Sequence, residues 1–343
     1  MADPTTPLPS SAIATLALEA GFDAVGFARP SLIPRNALEP WLQAGFAADM
    51  DWIGRRLEDR LDVGRLFPGT RTVIALASNY WTREGDALPG HIARYARGRD
   101  YHATQRDRLR ALRRLLSEAF PGVRNYSEVD AGPVMEKIWA ARAGLGFVGR
   151  NGLLITPRWG SWVVLAAMLI DAEVDSYHEE TPVDRCGTCR RCVEACPTDA
   201  ILPGKRVDSR KCLSYTTIEL EGPVDPGLRE GHSGISFGCD LCQDVCPLNA
   251  EPLQAPGERF LPRAFAELSL EELVPLTPER YVELTRGSAV ARAGHEGLRR
   301  NAIYALGAER RTGARALLES VLDDPSETIR DAARWALSRL ERP

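Results

Sequence analysis

The sequence predicts an α+β fold in three consecutive parts: a mixed α/β region over residues 1–175, a cysteine-rich unit over residues 176–258 and a helical tail over residues 259–343. Three observations carry this reading. Strand-like apolar runs alternate with amphipathic stretches through about the first 170 residues; all eight cysteines fall between Cys186 and Cys246; and two similar helical segments recur near the end. A length of 343 residues suits about two domains and leaves ample chain for a core. Hydrophobic content of 44% and charged content of 26% describe an ordinary globular protein.

The α/β region comes first. Residues 1–30 show no basic leader or twin arginine, and the apolar positions of residues 11–20 are amphipathic and interrupted by Glu19. No apolar run approaches the ~18 residues that span a bilayer, so a cytoplasmic protein without membrane contact is expected. Residues 72–77 (TVIALA) and 162–170 (WVVLAAMLI) read as buried strands, and residues 103–117 and 134–143 as helices. Gly144, Gly146 and Gly149 spell G-x-G-x-x-G, but they follow a helix, whereas a dinucleotide fingerprint follows a strand and opens a helix. Gly144 therefore reads as a helix C-cap. Residues 171–184 are acidic and polar, a linker or solvated loop into the next part.

The cysteine-rich unit is the most specific element. Cys186, Cys189, Cys192 and Cys196 before Pro197 make C-x2-C-x2-C-x3-C-P, the spacing of two-cluster bacterial ferredoxins. Cys239, Cys242 and Cys246 before Pro247 repeat its end, and Cys212 supplies the missing thiolate. In such units the cysteine before proline serves the other cluster. The expected ligand sets for two 4Fe-4S clusters are then Cys186, Cys189, Cys192 and Cys246, and Cys212, Cys239, Cys242 and Cys196. Paired four-cysteine zinc sites would need neither the third cysteine of the run nor the proline, and a disulfide scaffold belongs to small secreted chains.

In the tail, residues 298–307 (LRRNAIYALG) and 329–338 (IRDAARWALS) superimpose at a period of 31, the pattern of stacked HEAT-like helical hairpins or of two similar helices in a cap.

Residues 128–137 (EVDAGPVMEK), 143–152 (AGLGFVGRNG) and 98–102 (GRDYH), followed by the two cysteine runs, resemble epoxyqueuosine reductases over nearly the whole chain from Arg60 onward. The resemblance implies a cobalamin-binding first domain, base-off cobalamin beside the two clusters, and reduction of epoxyqueuosine to queuosine in a tRNA anticodon stem-loop. The electrons would come from an external one-electron donor such as a ferredoxin or flavodoxin, and a monomer is expected. A corrinoid reductive dehalogenase, or another corrinoid iron-sulfur reductase, is the alternative; the absent twin-arginine signal and the helical tail argue against it.

Within this reading Asp130 is the proton donor, its pKa expected to be raised by Val129, Ala131 and Pro133; capping the following helix is its structural alternative. Candidates for the cobalamin pocket are Arg60, Ala93, Tyr101, Asp130, Asn151, Gly152, Ser161 and Leu213. His102 is not expected to bind cobalt, because Gln105 stands where D-x-H-x-x-G would need glycine; it reads as a local hydrogen-bonding residue. Two arginine-rich stretches, Arg94 to Arg114 and Arg286 to Arg315, are candidate tRNA phosphate contacts or solvated faces despite the net charge of -4. The 26 residues between Cys212 and Cys239 are long for a ferredoxin loop and open to a substrate-facing role.

Overall fold

The computed structural model describes residues 6–130, 132–180 and 183–341. Its strands begin with β1 (Ala24–Ala28), β2 (Thr72–Asn79), β3 (Asn125–Glu128), β4 (Phe147–Val148), β5 (Leu154–Ile155) and β6 (Val163–Ile170). The main sheet has the order β1-β2-β6-β3 and every pairing is antiparallel. The mixture of helix and sheet is the expected one, and the sheet is antiparallel throughout. All eight residues of β2 are buried, which makes it read as an unbroken apolar run. Its side chains still alternate between two cores. Ile74 and Leu76 meet the helices Ser10–Glu19 and Tyr101–Ala119 through Ile13, Leu112 and Leu116, while Val73, Ala75 and Ala77 meet Trp139 and Ala140 of the helix Glu136–Arg142.

Local chemistry moves the expected helix ends. The first long helix starts at Tyr101 because Asp100 caps it, its carboxylate accepting from the His102 amide at 2.9 Å. The second starts only at Glu136, with Met135 as N-cap, so Asp130 is not a helix cap. Gly144 follows that helix at φ +80°, where a Cβ would strike the His178 ring at 2.6 Å. The expected linker is partly held: Asp175 accepts from the Ser10 amide at 2.9 Å, and Val174 is buried.

In the tail the two repeated segments lie on the helices Gly294–Ala308 and Glu327–Leu340, which pack together. At Gly307 a Cβ would come within 2.8 Å of the Ala336 Cβ, and Tyr304 meets Trp335 edge to face with centroids 5.5 Å apart. These helices share a core with Ile92, Ala96, Val224 and Phe237 from the two preceding parts. Arg300, only 1% exposed, donates to the carbonyls of Thr216 (2.7 Å), Leu220 (2.8 Å) and Gly222 (2.5 Å). Asn301 donates to those of Thr217 and Ser236, both at 2.8 Å. The long segment between Cys212 and Cys239 is thus where the tail docks.

Candidate functional site

The eight free thiols gather into two groups of four. Cys186, Cys189, Cys192 and Cys246 line a pocket of about 120 Å³, whereas Cys196, Cys212, Cys239 and Cys242 line one wall of a cavity of about 700 Å³. The exchange between the runs has a backbone cause. Cys246 precedes proline, is held extended (φ -75°, ψ 121°), and is carried back toward the first run. The second group is the deeper one: burial pushes the Cys239 thiol up to about 12 and raises those of Cys212 and Cys242. A convergent group of thiols in which Cys212, Cys239 and Cys242 ionise that unfavourably fits a cationic iron cluster, which compensates the thiolate charge.

Asp130 stands on another wall of the large cavity, with Tyr101, Glu136 and Lys137. Its backbone has φ +54°, a left-handed conformation that aspartate tolerates at a cost. The strain is held by neighbours: the Asp130 amide donates to Glu136 Oε1 at 2.9 Å, and Arg60 Nη1 donates to the Gly132 carbonyl at 3.3 Å. Asp130 Oδ2 accepts from the Tyr101 hydroxyl and lies 3.1 Å from His102 Nε2, whose Nδ1 is 2.8 Å from Asp100 Oδ1.

This arrangement reverses the expected pKa of Asp130. Burial favours its neutral form, but the hydrogen bonds from His102 and Tyr101, with the charges of His102 and Arg292, outweigh burial and hold it below the ordinary carboxylate value. Of the apolar neighbours invoked for a raised value, Ala131 lies outside the described residues. Burial likewise disfavours a charged His102, yet its bonds to Asp100 and Asp130 push its pKa up to about 9. Near neutrality the proton therefore sits on the imidazole, 3.1 Å from the carboxylate. Glu136 goes the other way: burial, reinforced by the charge of Asp130, brings it up to about 7.

Tyr101, Asn151, Gly152, Ser161 and Leu213 line the same cavity. Gly152, at φ +75°, offers its carbonyl to Lys137 Nζ at 2.8 Å, and Ser161 is fixed by Asn249 and Gln243. Two candidates do not line it. Arg60 lies behind the Asp130 loop, and Ala93 packs on Gly238 and lines a separate cavity of about 220 Å³. The sequence reading missed Glu136, Lys137, the buried Tyr80, the half-buried Tyr95, and an apolar rim of Leu38, Trp41, Met50 and Ile53. Glu136 and Lys137 end the quoted EVDAGPVMEK segment, a signal that was available; the rim residues come from short helices and the turns between them, without periodicity.

The arginine stretches are mostly engaged internally. In the first, Arg97 and Arg108 are buried, Arg94 pairs with Asp86, and Arg99 and Arg110 pair with Asp107. In the tail, Arg299 pairs with Asp324 at 2.7 Å and Arg300 is buried, so the adjacent pair that reads as a phosphate contact or solvated face is structural. Arg292 differs: it pairs with Glu219, lies over the Trp52 ring at 5.5 Å, and its charge reaches Asp130.

A double-cluster thiol unit built into the wall of a cofactor-sized cavity, facing a hydrogen-bonded acid, defines an iron-sulfur oxidoreductase. Residues 185–249 match the family described as 4Fe-4S double cluster binding domain, and residues 60–131 match the one described as Epoxyqueuosine reductase QueG, DUF1730. The epoxyqueuosine reductase of Gloeobacter violaceus is 42% identical over 301 residues, 84% of this chain and 92% of the relative. That of Xanthomonas campestris pv. campestris is 35% identical over 351 residues, 98% and 97% of the two chains. Among solved structures, an epoxyqueuosine reductase with a tRNA-Tyr epoxyqueuosine-modified tRNA stem loop matches with a TM-score of 0.87 at 26% identity, covering 97% of this chain and 90% of that one. The chain belongs to the epoxyqueuosine reductase family. Among the described residues no helix is long and apolar enough to cross a membrane.

Proposed function

We propose that this protein reduces the epoxide of epoxyqueuosine in tRNA to the cyclopentene of queuosine, with base-off cobalamin in the large cavity and two 4Fe-4S clusters relaying electrons. The observation that carries it is a single cavity of about 700 Å³ with Cys196, Cys212, Cys239 and Cys242 on one side and Asp130 with Tyr101 on another. The volume lies within the usual range of cofactor sites, and the rim is apolar and aromatic. Among the described residues no histidine lines it, in keeping with a corrinoid bound without histidine ligation. When bound, cobalamin supplies a low-valent cobalt, a reductant that no side chain can replace.

Removing the epoxide oxygen breaks two C–O bonds, forms the C=C bond and releases water, consuming two electrons and two protons. Asp130, ionised at rest, relays the His102 proton to the departing oxygen, the second proton follows by the same route once His102 is reprotonated from solvent, and Tyr101 holds the carboxylate in place. Asn151, Gly152, Ser161 and Leu213 face the corrinoid, and Lys137 braces the Gly152 carbonyl. Cys186, Cys189, Cys192 and Cys246 hold the first cluster; Cys212, Cys239, Cys242 and Cys196 hold the second, beside the corrinoid. Residues 1–175 then form the cobalamin domain, 176–258 the two-cluster unit and 259–343 the HEAT-like tail. Arg292, close to Asp130, is the tail arginine best placed for the tRNA. The protein works as a cytoplasmic monomer reloaded by a ferredoxin or flavodoxin.

The test is anaerobic reconstitution with iron, sulfide and cobalamin, followed by nucleoside analysis of an epoxyqueuosine-containing tRNA after addition of reductant. Queuosine should accumulate only with all components present. Its absence from a preparation with intact clusters and bound corrinoid would refute the proposal.

A further inference from the structure

The two electrons must enter from outside, and the two thiol groups differ in how near they lie to the surface. Cys186 and Cys189 sit in residues 183–191, where every residue other than the cysteines is exposed, and Val183 keeps 75% of its surface accessible. Arg150, Arg185 and Arg191 line the pocket of the first thiol group. Arg190 is beside them, its side chain 60% exposed, with Glu194 at the 4.0 Å limit of an ion pair.

The pairing of these cations sets them apart. Among the described residues Arg185 and Arg191 have no ion pair, whereas the arginines of the helix Tyr101–Ala119 and of the tail are largely paired or buried. The nearby acid Asp184 is already engaged by Lys205 at 3.0 Å and by the Cys186 amide at 2.9 Å. Glu179 and Glu180 are exposed just upstream and are the acids that temper the patch. On a protein of net charge -4, this leaves a local cationic rim around one redox centre.

We propose that this rim, Arg185, Arg190 and Arg191 beside Val183, is the docking surface for a small acidic one-electron carrier protein of the flavodoxin or ferredoxin type. This rests on the two-cluster relay proposed above. The step is one electron from the reduced carrier to the first cluster: the carrier is oxidised by one electron, the cluster reduced by one, and no bond or proton changes. An acidic carrier is repelled by the protein's net charge and attracted at the rim, which orients the encounter and speeds it. Unpaired arginines serve this best, since no internal partner has to be given up. RNA phosphate could also meet arginine, but these arginines ring the redox centre, whereas Asp130 lines the other cavity.

The test uses the full chain with both clusters reconstituted. Bleaching of cluster absorbance is followed by anaerobic stopped flow with reduced flavodoxin, with reduced ferredoxin, and with photoreduced deazaflavin as a small reductant. In R185E/R191E the second-order rate with the protein carriers should fall about tenfold or more at low salt and approach wild type at high salt, where charges are screened. The deazaflavin rate and the iron content should stay unchanged. Unchanged rates and salt dependence with both carriers would overturn the docking surface, as would weakened tRNA binding with carrier rates intact, which would assign the rim to RNA. If wild type is reduced by deazaflavin but by neither carrier, the carrier reading itself fails.

Discussion

The two thiol groups share one spacing motif and have opposite surroundings. Two thiols of the first, Cys186 and Cys189, lie in a surface segment beside unpaired arginines. The second forms the wall of a 700 Å³ cavity and is held from behind by the tail. The hold can be followed bond by bond: Asn301 binds the Thr217 carbonyl, and the Thr217 hydroxyl donates to the Leu213 carbonyl at 2.6 Å and accepts from the Gly238 amide at 2.9 Å. Leu213 follows Cys212 and Gly238 precedes Cys239, so the tail sets two thiols of the second group and none of the first. A repeated motif therefore need not mean repeated duty: position separates a site suited to taking up electrons from one suited to delivering them.

The harshest test of this asymmetry is to remove one cluster at a time. Cys212→Ala and Cys189→Ala should each lower iron from about eight to about four per chain. Cys212→Ala should abolish queuosine formation with any reductant. Cys189→Ala should abolish it with a protein donor but leave part of it with a small chemical reductant that reaches the second cluster. Equal loss in both variants with the small reductant would break the comparison.

Next in size is the acid on the opposite wall. Asp130→Asn should keep both clusters and corrinoid and slow product formation by about 100-fold or more, the scale of a lost general acid. Turnover at the wild-type rate under chemistry-limited conditions would reduce Asp130 to a structural residue.

The clamp follows. Arg300→Met takes the donor from the buried Thr216 carbonyl, a loss of about 1–3 kcal/mol, and from the half-buried Leu220 and Gly222 carbonyls, which lose less. The second cluster should become labile, iron falling toward about four with the first cluster's spectrum intact, and the denaturant midpoint should drop. The variant is expected to leave the salt dependence of tRNA binding unchanged, since a buried arginine releases no counterions. A changed slope with both clusters stable would reverse the assignment.

The smallest effects concern pH. His102 has its pKa raised to about 9, so its stabilising bonds to Asp100 and Asp130 are fully present below about 6.5 and are lost as pH rises through about 9. The chemical step should decline over that same window, and His102→Gln should remove the decline; a limb that persists would point to another group. Glu136 is an acid with its pKa raised to about 7, so its ionisation costs stability as pH rises from its ordinary value past 7. Glu136→Gln should therefore gain in Tm over wild type above pH 7 and not at pH 4, as thermal melts at the two values would show.

Much of this molecule was legible in advance where chemistry is local. Cysteine spacing depends on a few bonds and a following proline, and its two groups of four appear as the spacing predicts. Strands 72–77 and 162–170 and the two repeated helices were visible from apolar periodicity. The misread residues depend on distant partners. Asp130 was expected to be a raised acid from Val129, Ala131 and Pro133, yet the groups that hold its pKa down are His102 and Tyr101, 28 and 29 positions earlier in the chain. Arg299 and Arg300 looked like a basic surface pair because sequence shows charge and not the partners that meet it, Asp324 and the Val274 carbonyl for Arg299 and the carbonyls of Thr216, Leu220 and Gly222 for Arg300.

By itself the sequence determined the element types, the iron-sulfur chemistry and the family, because each is encoded in short spacing, periodicity or runs of matching residues. Only the tertiary structure decided which protonation state the acid adopts, which arginines face solvent, and which thiol group meets the cavity. Those properties are set by burial and by hydrogen bonds between segments far apart in the chain, and neither quantity exists until the chain has folded.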